Sequence, residues 1–461
     1  MGKVLLTSAV AVSAALLLSG CVLAPKEAKD EQKRLDASAG QYTTPVEKRS
    51  LPELPTEPTW REVLQRAFYA NGDLEAAYHE WAMAVAQIQI QGSYPTAPVS
   101  LSFQYMFSGE QMKSWDRTTV AATFDNGSGG LPLPNKVYQQ GKIAWRNAQA
   151  AGERFAGVKF KLQDQVLKAY IDYALMAEQI RVQQENTALL KLLNDTAAGR
   201  LQAGGAQQDL LRTDIELHMG QNMLATMQSQ LPGMRAMLNA MLARPTDAAL
   251  PSPTSIPQRP VLAGDATILA IGVAANPELK ALAYEVQGRG DAIERARMEY
   301  LPDINPMAGF TGSISQMLGA EIMLPTAIPK IRGMVTEARA DLARMQAMER
   351  QTRADRAAQY VAALYAMRNA ERQVKLFETQ ILPAARQVLE NARQSYTAGT
   401  GGYLDLIDAQ RTLLDVRLTI AEAKAAREKS LADLEALAGI DFETLKPATT
   451  QPTTQVTYEH H

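Results

Sequence analysis

The sequence predicts a mainly α-helical chain with a small β part, its long antiparallel helical hairpins lining one another as a tall cylinder. Three observations predict it: the chain repeats itself, each repeat holds one very long run of helix formers, and its two shorter helices together nearly match that run in length. Composition agrees. Aromatic residues make up 6% of 461 residues while Ala, Gln, Arg and Glu abound, the pattern of long packed helices rather than an ordinary globular core. A formal net charge of −2 gives no reason to expect nucleic acid or a strongly charged substrate. Four histidines argue against a His-based metal or catalytic site, and no spacing resembles a hydrolase triad, a phosphate loop or a zinc site.

Taken in order, residues 1–20 read as a lipoprotein signal peptide. Lys3 supplies the positive charge, and residues 4–18 form an uncharged apolar run too short to span as a mature helix. The run ends in Leu18-Ser19-Gly20-Cys21, which resembles a lipobox cleaved ahead of a cysteine that then carries diacylglycerol and an N-acyl chain. A residual cysteine in a secretory apolar region is the plain alternative. Cys21 is the only cysteine, so no internal disulfide can form. Each buried acyl methylene contributes ~0.8 kcal/mol, enough for firm anchoring by several chains. Val22, in place of Asp, resembles the sorting pattern of outer-membrane lipoproteins. No later apolar run approaches the ~20 residues a spanning helix needs, so any further crossing requires strands closed into a barrel.

After an anchor and linker over 21–57, the chain reads twice: a first repeat at 58–250 and a second at 266–445, joined by a Pro-rich linker at 251–265. Ala70-Asn71-Gly72-Asp73-Leu74-Glu75-Ala76 matches Ala275-Asn276-Pro277-Glu278-Leu279-Lys280-Ala281, and Tyr94-Pro95 matches Leu301-Pro302. Pro134 and Pro329 each open a long helical stretch, and Gly204 matches Gly399. The offset is 207 at Pro95 but 195 at Pro134 and Gly204, which places twelve extra residues in the first hairpin. Such duplication implies two similar units packed side by side.

Each repeat reads helix, strand, strand, very long helix, turn, helix. In the first, the long helix covers 136–202, with Val158, Leu162, Val166 and Tyr170 at helical spacing, and a shorter helix covers 206–243. At 1.5 Å per residue the long helix runs roughly 100 Å. In the second, helices are expected over 276–301, 330–398 and 402–439, with Pro383 bending the long one. Hairpins are expected at about 98–124 and 304–324. Their alternation of apolar and polar residues suits a barrel wall between water and lipid, although an ordinary soluble hairpin would alternate too. The second pair is short and hemmed in by Pro302, Pro306, Pro325 and Pro329. Residues 446–461 read as a disordered tail.

The chain over about 58–445 resembles the TolC-like outer-membrane efflux family. The resemblance rests on Ile381-Leu382-Pro383-Ala384-Ala385, Tyr396-Thr397-Ala398-Gly399-Thr400 and Leu404-Asp405-Leu406-Ile407-Asp408-Ala409-Gln410. It rests also on Asn276-Pro277-Glu278-Leu279 and Ala296-Arg297-Met298-Glu299-Tyr300-Leu301-Pro302. It implies a homotrimer whose protomers give four strands each to a twelve-stranded barrel in outer-membrane lipid, above a periplasmic α-helical barrel. It implies a periplasmic adaptor and an inner-membrane pump, of the resistance-nodulation-division type, with the chain as their passive exit duct for small toxic compounds. No cofactor, no nucleic acid and no catalysis are implied. A duct for type I protein secretion would share the architecture, and a lipid-tethered coiled-coil spacer would share the helices.

By the same resemblance, the turns at Gly204-Gly205 and at Gly399, Thr400, Gly401 and Gly402 form the periplasmic mouth where the adaptor docks. Glycine at a helix–helix turn is equally what folding alone requires. The family's closed mouth uses a tyrosine, an arginine and aspartates; Tyr396, Asp405 and Asp408 match, whereas Gly401 stands where arginine is expected. Arg212, beside Asp209 and Asp214, is the candidate substitute. These acids also suit solvated helix starts. Met219, Met223, Met227, Met234, Met237 and Met241 fall largely on one stripe, readable as adaptable core packing or as a thioether route for copper or silver.

Overall fold

The computed structural model describes residues 22–94, 99–107, 112–124, 131–261 and 263–444; Cys21, the leader and the tail expected over 446–461 lie outside them. The helices are α1 (Ala28–Ser38), α2 (Trp60–Ala70), α3 (Gly72–Gly92), α4 (Pro134–Gln202), α5 (Gln207–Met241), α6 (Asp265–Ile271), α7 (Pro277–Arg297), α8 (Ile328–Leu376), α9 (Leu382–Thr397) and α10 (Tyr403–Ala438). The strands are β1 (Val99–Tyr105), β2 (Thr118–Phe124), β3 (Asp303–Thr311) and β4 (Ser315–Met323). Between α8 and α9 the helix runs through a π turn at Phe377–Ile381. Pro383 has no N–H to offer the carbonyl of Thr379, so the wider turn takes up the interruption that the sequence places there. No helix among the described residues is long and apolar enough to cross a membrane.

The compact units are not the two repeats. Met1–Thr43, Ala76–Phe155 and Pro277–Thr352 make one; Thr44–Glu75, Ala156–Asn276 and Arg353–His461 make the other. Each unit takes corresponding pieces of both repeats, because the repeats lie side by side and pair along their length.

In the first unit, β1-β2-β3-β4 form one antiparallel sheet in chain order, and β2 pairs with β3 across the repeats. β3 and β4 share nine pairs, β1 and β2 seven. The hairpin expected to be longer therefore has the shorter strands. Its extra residues go instead to a connection at 106–117, against 312–314 in the second hairpin. Gly312 (φ +47°) turns beneath that connection, where an added Cβ would lie 2.3 Å from Asp116 Cα. The Ser313 amide donates to the Asp116 carboxylate at 2.8 Å, and its hydroxyl donates there too. These bonds hold the Asp116 carboxyl below its ordinary range. Pro306 fits within β3 because its missing N–H faces a gap in the ladder. The even-numbered residues bond toward β2, as Gly312 does to Thr118 and Ile304 to Leu131, and β2 pairing stops at Met307.

Below the sheet in this unit, α1, α3 and the start of α4 pack through aromatic rings. Tyr42 stacks on Tyr78 at 5.0 Å and Trp81 on Phe155 at 5.7 Å. The Trp81 indole N–H donates to buried Glu31 at 2.9 Å. The first described residues are seated by two glycines. The Leu23 amide donates to the Gly92 carbonyl at 2.7 Å, and a Cβ on Gly141 would come within 2.5 Å of the Leu23 carbonyl oxygen.

The second unit has apolar cores of its own. Ile268, Tyr360, Leu364, Met367, Leu431 and Leu434 form one, and Leu167, Ile171, Ile256 and Ala421 another. The linker between the repeats is pinned to α10 by buried Arg259, whose guanidinium donates to Glu428 at 3.1 Å and to Glu435 at 2.5 Å. Its own amide reaches Glu428 at 3.1 Å. The α5 methionines are not core within one chain: Met219, Met223 and Met237 are each at least half exposed. Leu211 and Ile215 continue that stripe and are equally exposed. A helix whose opposite face is already packed on α4, through Gly220 against Leu190, has no room inside the chain for a second apolar face.

Candidate functional site

Two places carry the features the sequence singled out: the sheet and the helix–helix turns. In the sheet, antiparallel partners share a face, so the register sorts every strand residue. One face carries Phe103, Tyr105, Val120, Ala122, Ile304, Ala308, Phe310, Leu318, Ala320 and Ile322. The other carries Ser102, Gln104, Thr119, Ala121, Asp303, Asn305, Met307, Thr311, Met317 and Glu321. Phe103 and Leu318 are 73% and 82% exposed, so nothing among the described residues covers these positions of the apolar face. The polar face is knit by Thr119 to Thr311, hydroxyl to hydroxyl at 3.0 Å. At its base, buried Lys136 at the start of α4 reaches Asp303 and the Leu301 carbonyl, each at 2.8 Å. Among the described residues the outer edges of β1 and β4 have no partner strand. Nine residues at ~3.3 Å each and ~40° tilt rise roughly 23 Å, close to the ~25 Å apolar band of a barrel.

Both turns end their helices with glycine at positive φ, Gly204 at +92° and Gly399 at +79°. In the first, the Gly205 amide closes on the Arg200 carbonyl at 2.8 Å; in the second, Thr400 and Gly401 amides close on the Ser395 carbonyl at 3.0 and 2.9 Å. Gly402 then caps α10. Gly401 is more than a missing arginine. A Cβ there would lie 2.8 Å from Ser395 Cβ, so the tight turn itself selects glycine.

A cation nonetheless meets Tyr396, and it is Arg200 rather than Arg212. The Arg200 guanidinium lies 4.3 Å from the Tyr396 ring centroid and donates to the Tyr396 carbonyl at 2.8 Å. Tyr396 is buried against Tyr403, Leu406, Leu190 and Leu193, and neither tyrosine hydroxyl meets the geometry of a hydrogen bond among the described residues. Burial pushes both phenols up, with Asp209 adding to it at Tyr396; the Tyr403 phenol reaches about 12. Asp405 and Asp408 point away from this cluster and are exposed, so no tyrosine–aspartate latch forms within one chain. Arg212 is half-buried and forms no ion pair among the described residues. Arg200 was missed in the sequence because its partner lies in the other repeat, 196 residues away. No group of three or more His, Cys, Asp or Glu among the described residues could hold a metal ion.

The four-stranded sheet and the paired long helices reversed by glycine turns are features of a fold shared with solved outer-membrane channels. Three solved structures share it. The outer-membrane channel OprN matches at TM-score 0.69 and 16% identity over 87% of this chain and 92% of its own. CusC matches at 0.69 and 17% over 87% and 96%, and the outer membrane protein VceC of Vibrio cholerae at 0.69 and 14% over 83% and 96%. No curated protein sequence matches the chain. Residues 273–440 match the family described as outer membrane efflux protein.

Proposed function

We propose that this chain is the protomer of the exit duct of a tripartite efflux system, passing small toxic compounds through the outer membrane after a periplasmic adaptor and an inner-membrane pump deliver them. The observation that carries the reading is the sheet. An uncovered apolar face is stable against lipid, and a polar face against water, while the unpaired β1 and β4 edges each need a strand that a second copy can provide. Three copies close twelve strands and leave no edge. The family match over the second repeat and the channel fold of the neighbours support the same class.

In this reading the duct performs no chemistry, and a lipid anchor at Cys21 holds it at the outer membrane. The seat of Leu23 on Gly92 and Gly141 supports that placement, since Gly92 ends the helix leading into β1 and Gly141 follows β2. The turns around Gly204 and Gly399 are the adaptor-facing mouth. The test is reconstitution: heat-sensitive trimers on a gel and stepwise conductance in planar bilayers are expected. A non-conducting monomer overturns the proposal in favour of a coiled-coil spacer. Conduction together with transport of an unfolded polypeptide, but not of small compounds, would assign the duct to protein secretion.

A further inference from the structure

We propose that the polar face of the sheet carries a thioether site for a soft monovalent cation, Cu(I) or Ag(I), built from Met307 and Met317 with Glu321 beside them. The proposal rests on the duct reading, which makes this face the water-filled side. All the methionines of the strands lie on it. Met307, Met317 and Met323 alternate with Asn305, Ser315 and Glu321, whereas the apolar face uses Ile, Leu, Phe, Val and Ala and no Met. Methionine chosen as filler would sit with the grease. Here it stands among Thr, Ser, Asn and Glu, where its apolar bulk gains nothing and its sulfur is the part that differs from its neighbours.

The register also makes room for the sulfurs. Met307 pairs with Gly319 and Met317 with Gly309, so each methionine has a residue without a side chain opposite it. A Cβ on Gly319 would touch Met307, 3.4 Å from Cγ and 3.8 Å from Sδ. Met307 and Met317 are therefore diagonal neighbours on adjacent strands, at the ~7–8 Å Cα spacing that two long side chains can bridge. Glu321 is the other diagonal neighbour of Met307. Met317 is 56% exposed and free to turn its sulfur. Two thioethers with a carboxylate suit a soft monovalent ion and suit Mg(II) or Ca(II) poorly. The α5 methionines do not share this logic, since Leu211 and Ile215 continue their stripe and mark it as apolar surface.

The test uses the full-length protein with its methionine methyls 13C-labelled, titrated with silver nitrate in chloride-free buffer. The Met307 and Met317 methyl resonances should shift saturably, while Met83, exposed on α3, stays in place. Met307→Leu/Met317→Leu keeps side-chain volume. It should weaken half-saturation by about tenfold or more, and abolish any silver-dependent block of bilayer current without changing the silver-free conductance. Unshifted methyls, a shift at Met83 equal to the others, or full affinity in the double variant would overturn the site. If the wild type carries no current, the duct reading fails, and the methyl titration still decides the thioether site alone.

Discussion

The Arg259 clasp makes the sharpest energetic prediction. Its guanidinium is buried between Glu428 and Glu435, and Arg427 and Glu371 complete the ring of charges around them, with Asp441 also near Glu435. Arg259→Met keeps much of the stem but leaves buried Glu435 without its cation and Glu428 with Arg427 alone, a change that costs about 3–5 kcal/mol when one partner of a buried pair is lost. That corresponds to a roughly 200- to 5,000-fold fall in amide protection over residues 256–261, read by hydrogen exchange on the intact protein at pH 8. The loss should shrink at pH 5.5. Burial pushes the Glu435 carboxyl up to about 7 even with Arg259 beside it. A carboxyl whose folded value is raised binds an extra proton in the fold, so its contribution is fully present below the unfolded value near 4.5 and is lost as pH rises through about 7. In the wild type this group alone stabilises the fold by up to about 3 kcal/mol on acidification across that window. Without Arg259 the proton is taken up at still higher pH and relieves the stranded charge. Equal losses at both pH values, or none at either, would show that the linker is held by packing and not by this clasp.

Other substitutions test the remaining assignments. Leu318→Lys, on the apolar face, should cost about 2–4 kcal/mol of folding into vesicles, while Met317→Lys, one residue back and on the polar face, should insert normally. Arg200→Met removes both the ring contact and a charged hydrogen bond, worth together about 2 kcal/mol, and should speed amide exchange over residues 394–401 about thirtyfold. Gly401→Arg, which restores the residue the family pattern expects, should loosen the turn by about 1–3 kcal/mol through its contact with Ser395, measured by the same exchange. Removing charge at Asp405 or Asp408 should raise single-channel conductance of the reconstituted trimer; unchanged conductance would take both out of the gate.

Helices were the legible part of the sequence because their signal is local and long. The run from Pro134 to Gln202 contains no other proline, and its 3.6-residue periodicity accumulates over many turns. The glycine reversals were legible for the same reason, since positive φ at Gly204 and Gly399 leaves a single-residue mark. The end of β1 was not. Alternation continues past Tyr105 through Met106 and Phe107, yet pairing ends at Tyr105↔Thr118, because only the partner strand decides where a ladder stops. The methionine stripe of α5 misled in another way: a periodic apolar stripe announces burial, not whether the cover comes from the same chain.

What no single-repeat motif could reveal is that the decisive contacts join the repeats. Lys136 of the first holds Asp303 of the second, Thr119 meets Thr311, Lys168 meets Asp433, and Arg200 clamps Tyr396. Each contact belongs to one compact unit, and each unit is built from both repeats. A motif read along one repeat therefore looks incomplete at the place where its counterpart completes it. The arginine expected at Gly401 illustrates this: Ser395 leaves no space for a side chain there, and the cation instead comes from α4 across the turn. Duplication lets one repeat lose a functional group once the other can reach the same atoms. The residues that complete such a turn should accordingly be sought between the helical hairpins and not within either one.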